Sequence, residues 1–544
     1  MKLIKKKIDY LLIFLLLSVL SLYAFVGDIN YFFKPAHSTT YKVYENAKDV
    51  MLFSPQGQPL KQAKIKTYNP NFRLKVSTDG GKTYLNLSVD NFNKIRFKDI
   101  SKYVISYRFK FPFGNLPTVK SFLVKAKHKS KEIYTKPIQI TYVQNYKSNF
   151  PFVSLIINED DLFDEYNGMM VLGKESWIED DLPFYKNFWF KDANYKQRKG
   201  KWRKKTYFQY FEKGKLKSEL ICEASISGNA TRSFAQKSIK LKSVKQLYAT
   251  DKFKYHFFGK QGLSKYKSLV LRNSGNDNTK TLFADRLMQE LAIKDDVLYQ
   301  KGQFVNVFIN GNYWGIYNLR ERYDSYFISK TENVEKKDIT LLEGAYAKLK
   351  TGKKKIQKQY VNYIDSLYQL DEITNAILAE VESKINLNSF INYTFNQTFF
   401  ANGDWLINNI LVYKAGTKKW KWALNDLDYG LAYQGEHNVN ENIFDKLKIN
   451  QSYFGKLYQI LLKNKQFKKR FKNQLYKNIN RMYANNRVLN IYQSLKTDLK
   501  INIQWQINRW RVIKSIEEWD ENCKKNLNFL LNRREVYKHQ IDSI

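Results

Sequence analysis

The stretch QFVNVFINGNYWGIYNLRERY, residues 303–323, constrains the fold of this chain more than any other. Two runs of alternating aromatic and β-branched residues flank Asn310–Gly311. A two-residue hairpin turn whose twist matches its strands needs positive φ at both central positions, and Asn-Gly tolerates that best. The stretch therefore predicts an antiparallel hairpin, and a chain containing it must build a sheet around it. Strand signals recur upstream, as in YFQYFEKGKLKSELICEASISGNATRSFAQKSIKLK at 207–242.

Residues 40–145 alternate apolar and polar residues, with turn signals at SPQG, TDGG and FPFGN. FRLKVSTDGGKTYLNLSV reads as two strands around a Gly-Gly turn, and VKSFLVKAKHKSKEIYTKPIQITYV as more strands. Together they predict a small β-sandwich. FPFVSLIINEDDLFDEYNGMMVLGK at 150–174 then opens a new domain. A helix is predicted over 279–293, with apolar residues at 282, 283, 287, 288 and 291. Beyond the hairpin the chain turns mostly helical, interrupted by a strand pair at 409–425. The tail, 485–540, has Ile503, Ile507 and Trp510 on one helical face, which reads as packing.

At 544 residues the chain is too long for one ordinary domain. Hydrophobic residues make up 43% and aromatics 16%, so it can fill a core and is not a disordered protein. Its 92 Lys and Arg against 51 Asp and Glu favour anionic partners. The lysines are not spaced as a reading helix needs, so nucleic acid is not the expected partner. Their densest run, KLKTGKKKIQK at 348–358, reads as a surface loop. Two cysteines, Cys222 and Cys523, and five scattered histidines exclude a disulfide framework and argue against a structural zinc site, while one bridge stays open. The start is basic and then apolar from Leu11 to Val26. It reads as an uncleaved membrane anchor rather than a cleaved signal peptide, with the remainder exported.

The chemistry gathers in NGDWLINNILVYKAGTKKWKWALNDLDYG, 402–430. Asp426 and Asp428 are two apart, so on an extended chain they point the same way. Clustered carboxylates need a positive neighbour: a metal, a lysine or only solvent. Magnesium binds through one or two carboxylates plus substrate phosphates. Upstream, Asp404 is followed by Asn408 and Asn409. A kinase catalytic loop has Asp, then Asn five residues on, and a second Asp with Gly two beyond it. Asp404–Asn409 and Asp428–Tyr429–Gly430 have those spacings. The hairpin between should bring Asp404, Asp426 and Asp428 into one cleft. Without metal their repulsion implies that removing one costs little stability. The plainer alternative makes Asp404 a turn cap and the other two solvated loop charges.

The basic half of such a site is sought in SISGNATRSFAQKSIKLK, with Gly228, Arg232, Lys237, Lys240 and Lys242. Lysines on an edge strand also deter aggregation. Asp285 or Glu290 of the 279–293 helix could hold such a lysine, whereas Asp277 reads as a cap.

These motifs, FVSLIINEDDLF, ISGNATRSFAQKSIKLK, LVLRNSGNDNT, VFINGNYWGIYNLRER, NGDWLINN and WKWALNDLDYG, together resemble the CotH kinase family, atypical protein kinases related to spore-coat protein H. They run in the family's order over roughly 150–440. The resemblance implies an α+β chain: a remote protein-kinase-like domain at 149–484, a β-sandwich at 30–148 ahead of it, and a helical part at 485–544. Residues 1–29 are the signal or anchor. It implies transfer of the ATP γ-phosphoryl, with Mg2+ or Mn2+, to Ser or Thr of an extracytoplasmic protein substrate. Asp404 would orient the hydroxyl, Asp426 with Asn408 or Asn409 would hold metal, and Asp428 would be the second carboxylate. Arg232, Lys237, Lys240 and Glu290 would serve the nucleotide, Lys237 being favoured over Lys240. Many relatives have tryptophan where this chain has Asn425. A non-catalytic envelope protein and a basic polyanion binder are the competing expectations.

Overall fold

The computed structural model describes residues 50–86, 98–100, 103–104, 109–148, 150–174, 192–245, 252–433 and 436–544. The Leu11–Val26 run lies outside them. Among the described residues no helix is long and apolar enough to cross a membrane.

The first part is β. Strands β1 (Met51–Phe53) and β2 (Ile65–Thr67) form a ladder, and β3 (Phe72–Ser77), β4 (Leu85–Asn86), β5 (Val119–His128) and β6 (Ile138–Val143) form a sheet in the order 4-3-5-6. Alternation decides its two faces. Phe122, Val124 and Ala126 of β5 share a core with Met51, Ile65 and Ile140. The opposite face carries Ser121, Gln139 and Thr141 against the next unit. There Ser121 pairs with Ser154 at 2.8 Å, and Thr141 donates to Gln209 at 2.8 Å. Buried polar groups at such a seam must be paired, which fixes the docking geometry.

The next unit is a closed seven-stranded barrel. Its strands are β7 (Phe152–Ile157), β8 (Lys204–Glu212), β9 (Lys215–Ser227), β10 (Ser238–Ser243), β13 (Ser268–Arg272), β14 (Gly302–Ile309) and β15 (Asn312–Glu321), in the order 10-13-15-14-7-8-9. A small ladder, β11 (Phe253–Lys254) with β12 (Lys265–Tyr266), stands beside it. The predicted hairpin is β14–β15, and Asn310 and Gly311 have φ of 47° and 82°, as the tight turn demands. Closure abolishes sheet edges, so inward residues such as Ile239, Leu241, Leu269, Leu271 and Val305 form one buried core.

The rest is helical around a second sheet: β16 (Ile339–Glu343), β17 (Lys348–Thr351), β18 (Leu411–Ala415) and β19 (Lys421–Ala423), in the order 17-16-18-19. The helices are α1 (Glu159–Phe163), α2 (Ala284–Leu291), α3 (Ser325–Glu332), α4 (Lys354–Tyr368), α5 (Asn375–Lys384), α6 (Leu387–Phe399), α7 (Trp405–Asn408), α8 (Ile443–Ile449), α9 (Tyr453–Leu461), α10 (Lys465–Tyr483), α11 (Arg487–Lys500), α12 (Ile503–Trp510) and α13 (Ile516–Asp542). Their starts are written in the sequence: Asp324, Thr374, Asn386, Ser452, Asn464 and Ser515 each accept a backbone N–H as N-caps. The predicted 279–293 helix is shorter than its periodicity. Asp277 accepts from Thr281 N and Ala284 N, a cap that holds 275–279 as a tight turn and starts α2 at Ala284. The lysine run 348–358 is not a loop but edge strand β17 and the first turn of α4. The tail packs back on the barrel: Gln506 accepts from Ile316 N at 2.8 Å, and Trp510 donates to Trp314 O at 2.9 Å. Cys222 and Cys523 are both free and buried, so the open question of one bridge is answered in the negative.

Candidate functional site

The cleft lies between one outer face of the barrel and the loops flanking β18–β19. Leu298 and Leu424 join the two halves by a backbone bond of 2.7 Å, and Tyr323 donates to Leu424 O at 2.9 Å. Cross-strand register sets the barrel side. Lys240 faces Val270, and Val270 faces Arg320, while Arg272 lies two residues beyond Val270. Cross-strand partners share a face, so Lys240, Arg272 and Arg320 project together.

Arg272 is the centre of the site. Its Nη2 donates to Asp428 Oδ2 at 2.8 Å and also to Asp426. Its Nε lies 3.4 Å from Asp285 Oδ2, which takes a second cation in Arg320 Nη1 at 2.6 Å. The positive group between the two aspartates is thus an arginine, an option the sequence reading did not weigh. Burial disfavours the guanidinium's charge, but Asp426, Asp428 and Asp285 outweigh it and hold Arg272 more firmly protonated than usual.

Asp426 and Asp428 differ in role although they are two apart. Asp428 is 2% exposed and also accepts from Asn276 N at 2.8 Å and Asn276 Nδ2 at 3.3 Å. Burial and then the charge of Asp426 push its carboxyl up, against the pull of Arg272. Gly275 makes that contact possible: at φ +61° it passes so close that a Cβ would stand 1.7 Å from Asp428 Oδ2. The side chain of Asp426 keeps a third of its surface. Its backbone is left-handed, at φ 55°, a conformation Asp tolerates better than most residues. Positive-φ non-glycine residues held by surrounding contacts recur at functional sites.

Asp404 reaches the same cleft from the other end of the hairpin. Asn402 Nδ2 approaches Asp426 O at 3.5 Å, and Gly403 N donates to Tyr429 O at 3.4 Å. Trp405, fully buried, anchors the loop through its Nε1 on Tyr393 Oη at 2.9 Å. Asn409 Nδ2 donates to Asp404 Oδ2 at 3.0 Å. Burial and then the charge of Asp426 raise the Asp404 carboxyl, while the amides of Asn408 and Asn409 act the other way.

The basic loop behaves differently from expectation. Lys237 is fully buried, and its ammonium donates to Arg232 O and Phe234 O, both at 2.9 Å, over the ring of Tyr195. Burial lowers it well below the ordinary lysine range. Its ammonium is spent on these two carbonyls and closes the loop. Arg232 is likewise turned inward, on Gly228 O at 2.8 Å and Tyr195 O at 3.0 Å, and burial pushes it down to about 10. Glu290 binds Arg286 on α2 and, at 3.0 Å, Lys294 just past the end of that helix, and neither lysine of β10. Lys240 remains on the cleft face, pushed down to about 8 by burial, then by Arg322 and other cations around it.

Among the described residues no cluster of three or more His, Cys, Asp or Glu could hold a metal by itself. The donors present fit magnesium of another kind, one carboxylate and one amide oxygen completed by phosphate oxygens. Asp426, a third exposed, could supply the first. Asn409, its amide nitrogen on Asp404, has its oxygen for the second. Asp428 is spent on Arg272 and Asn276.

Sequence reasoning missed Arg272, Gly275 and Asn276, although all three stand in LVLRNSGNDNT. The legible signal was a lone arginine closing an apolar strand just before a glycine. Residues 224–537 match the family model described as CotH kinase protein. No curated protein matches the chain.

Proposed function

The chain belongs to the CotH kinase family, and from that premise we propose an atypical, protein-kinase-like phosphotransferase that moves the ATP γ-phosphoryl to Ser or Thr hydroxyls. One observation carries the reading. Asp404, with Asn409 bonded to it, and Asp426 share a cleft roofed by the cationic barrel face. A barrel, a helical half and an Asp–Asn loop leading into a hairpin that ends in a second Asp support a kinase-like arrangement.

In this reading Lys240 meets the nucleotide phosphates. Magnesium, held by Asp426 and the Asn409 amide, would neutralise charge on the phosphates. Asp404 orients the incoming hydroxyl and takes its proton as the oxygen bonds the γ-phosphorus and the bond to the β-phosphate breaks, releasing ADP. Its raised carboxyl makes it a better proton acceptor than an ordinary aspartate. Arg272 holds Asp426 in place. The domain limits and the Leu11–Val26 segment belong to the proposal too: an exported enzyme, anchored in a membrane and acting on an envelope protein.

A second reading, a non-catalytic surface protein that keeps the fold, draws on the arginine between Asp426 and Asp428. Incubating the full chain with radiolabelled ATP, magnesium and envelope extract separates the two. Label on protein seryl or threonyl groups that disappears in Asp404→Asn supports transfer. No label above that variant supports the second reading.

A further inference from the structure

We propose that the surface beside the catalytic loop docks an acidic segment of the protein substrate that carries an apolar side chain next to its acidic residues. The inference rests on reading the cleft as a phosphoryl-transfer site. It starts from three of the most exposed large apolar residues among those described: Tyr346 at 71%, Ile407 at 66% and Ile449 at 79%.

They come from distant parts of the chain, yet the backbone gathers them. Ala345 N donates to Ile407 O at 3.0 Å and Gly344 N to Ile410 O at 2.8 Å, which ties the turn after β16 to the loop of Asp404. Tyr453 N donates to Ala345 O at 3.0 Å, which ties the short link after α8 to the same turn and so brings the end of that helix, Ile449, towards it. Ile407 sits three residues from Asp404. A lone exposed apolar residue needs no explanation, but a convergent group beside a reactive loop marks a contact surface.

Charge identifies the occupant. Gln357 of α4 donates to Ala347 O at 3.1 Å, so the first turn of α4 docks on the same turn. That helix start and β17 bring Lys348, Lys354 and Lys355, all exposed and without an ion pair among the described residues. By contrast Lys350 is held by Glu343 at 2.6 Å, and Lys448 by Asp445 at 2.8 Å. Unneutralised cations around an apolar patch complement an anionic chain with an apolar anchor. They disfavour a basic one.

The test is fluorescence anisotropy with labelled peptides and the full-length protein, without ATP, so that binding is read independently of transfer. Three peptides each carry one serine: one with flanking Glu and a Leu, one with Glu and no Leu, and one with Lys and Leu. The first should bind at least tenfold tighter than the other two, and the advantage should shrink as salt rises. Tyr346→Ser with Ile449→Ser should erase the gain from Leu. Lys354→Glu with Lys355→Glu should erase the gain from Glu. In both double variants the thermal shift by Mg-ATP should match the parent, which shows that they fold. Equal binding of the acidic and basic peptides, or double variants that bind as the parent does, overturns the proposal. So does an oligonucleotide of equal charge binding as tightly as the first peptide, which makes the surface a general polyanion patch. If peptide selectivity holds while Mg-ATP gives no shift even in the parent, the docking surface stands and the kinase reading falls.

Discussion

Replacing Arg272 by methionine keeps an unbranched side chain about as far as the Nε position and removes the guanidinium with its charge. Three carboxylates lose a partner, but not equally. Asp285 keeps Arg320 at 2.6 Å. Asp426, a third exposed, is screened by water, so its pair contributes at most about 1 kcal/mol. Asp428, 2% exposed, is left with Asn276 alone. Breaking a buried pair from one side costs about 3–5 kcal/mol. We expect a loss of that order for Arg272→Met at neutral pH, nearly all of it from Asp428. Asp428→Asn alone leaves Arg272 with two other carboxylates and should cost about 1–3 kcal/mol, as for a buried hydrogen-bonded group. In the double variant the orphaned charge is gone, so the second substitution should recover about 2 kcal/mol of the first loss. Urea unfolding followed by tryptophan fluorescence, at constant m, measures the cycle. The sign with pH follows from a carboxyl raised on folding: the folded protein holds its proton to higher pH than the unfolded chain, so the penalty is full at high pH and fades as pH falls. Arg272→Met should therefore be worst at pH 8 and less costly at pH 5. Additivity within about 0.5 kcal/mol, the behaviour of independent sites, would refute the reasoning.

Gly275→Ala adds a Cβ in a left-handed conformation against Asp428 and Arg272; it should cost at least about 3 kcal/mol, and a midpoint like the parent's would contradict the contact. Lys237→Met should unfold more easily because Arg232 O and Phe234 O lose their donor, whereas Lys240→Met should fold normally and weaken Mg-ATP binding about tenfold by calorimetry; the reverse pattern would restore Lys237 to the nucleotide. His437 is pushed down to about 4 by burial and then Lys280, so it stays neutral in the fold. Stability it contributes above its unfolded pKa is lost as pH drops from about 6.5 to 4, and His437→Gln should flatten that limb of a pH–stability curve.

Much of the fold was legible where local chemistry dictates it. Asn310–Gly311 fixed one hairpin, and the flanks of 405–425 fixed another. Ile503, Ile507 and Trp510 gave the packed face of α12. Barrel closure was not legible, because which strand pairs with the first is a long-range choice that alternation does not record. The repulsion argument for Asp426 and Asp428 failed in a similar way. It counted charges within one segment, while the neutralising arginine comes from a strand about 150 residues earlier. With that arginine in place, removing Asp428 should destabilise the protein rather than relieve it. Lys237 misled for a further reason. A lysine beside a strand looks available in sequence, and only the fold shows it turned inward onto carbonyls.

The central claim is that Asp426 and its surroundings bind a magnesium nucleotide in this cleft. Calorimetric titration of the full-length protein with ATP, with and without magnesium, tests it most directly, alongside Asp426→Asn. The parent should bind ATP only when magnesium is present, and Asp426→Asn should lose at least tenfold of that affinity while unfolding near the parent's midpoint. A parent that ignores Mg-ATP, or an Asp426→Asn variant that binds it as tightly as the parent, would contradict the claim.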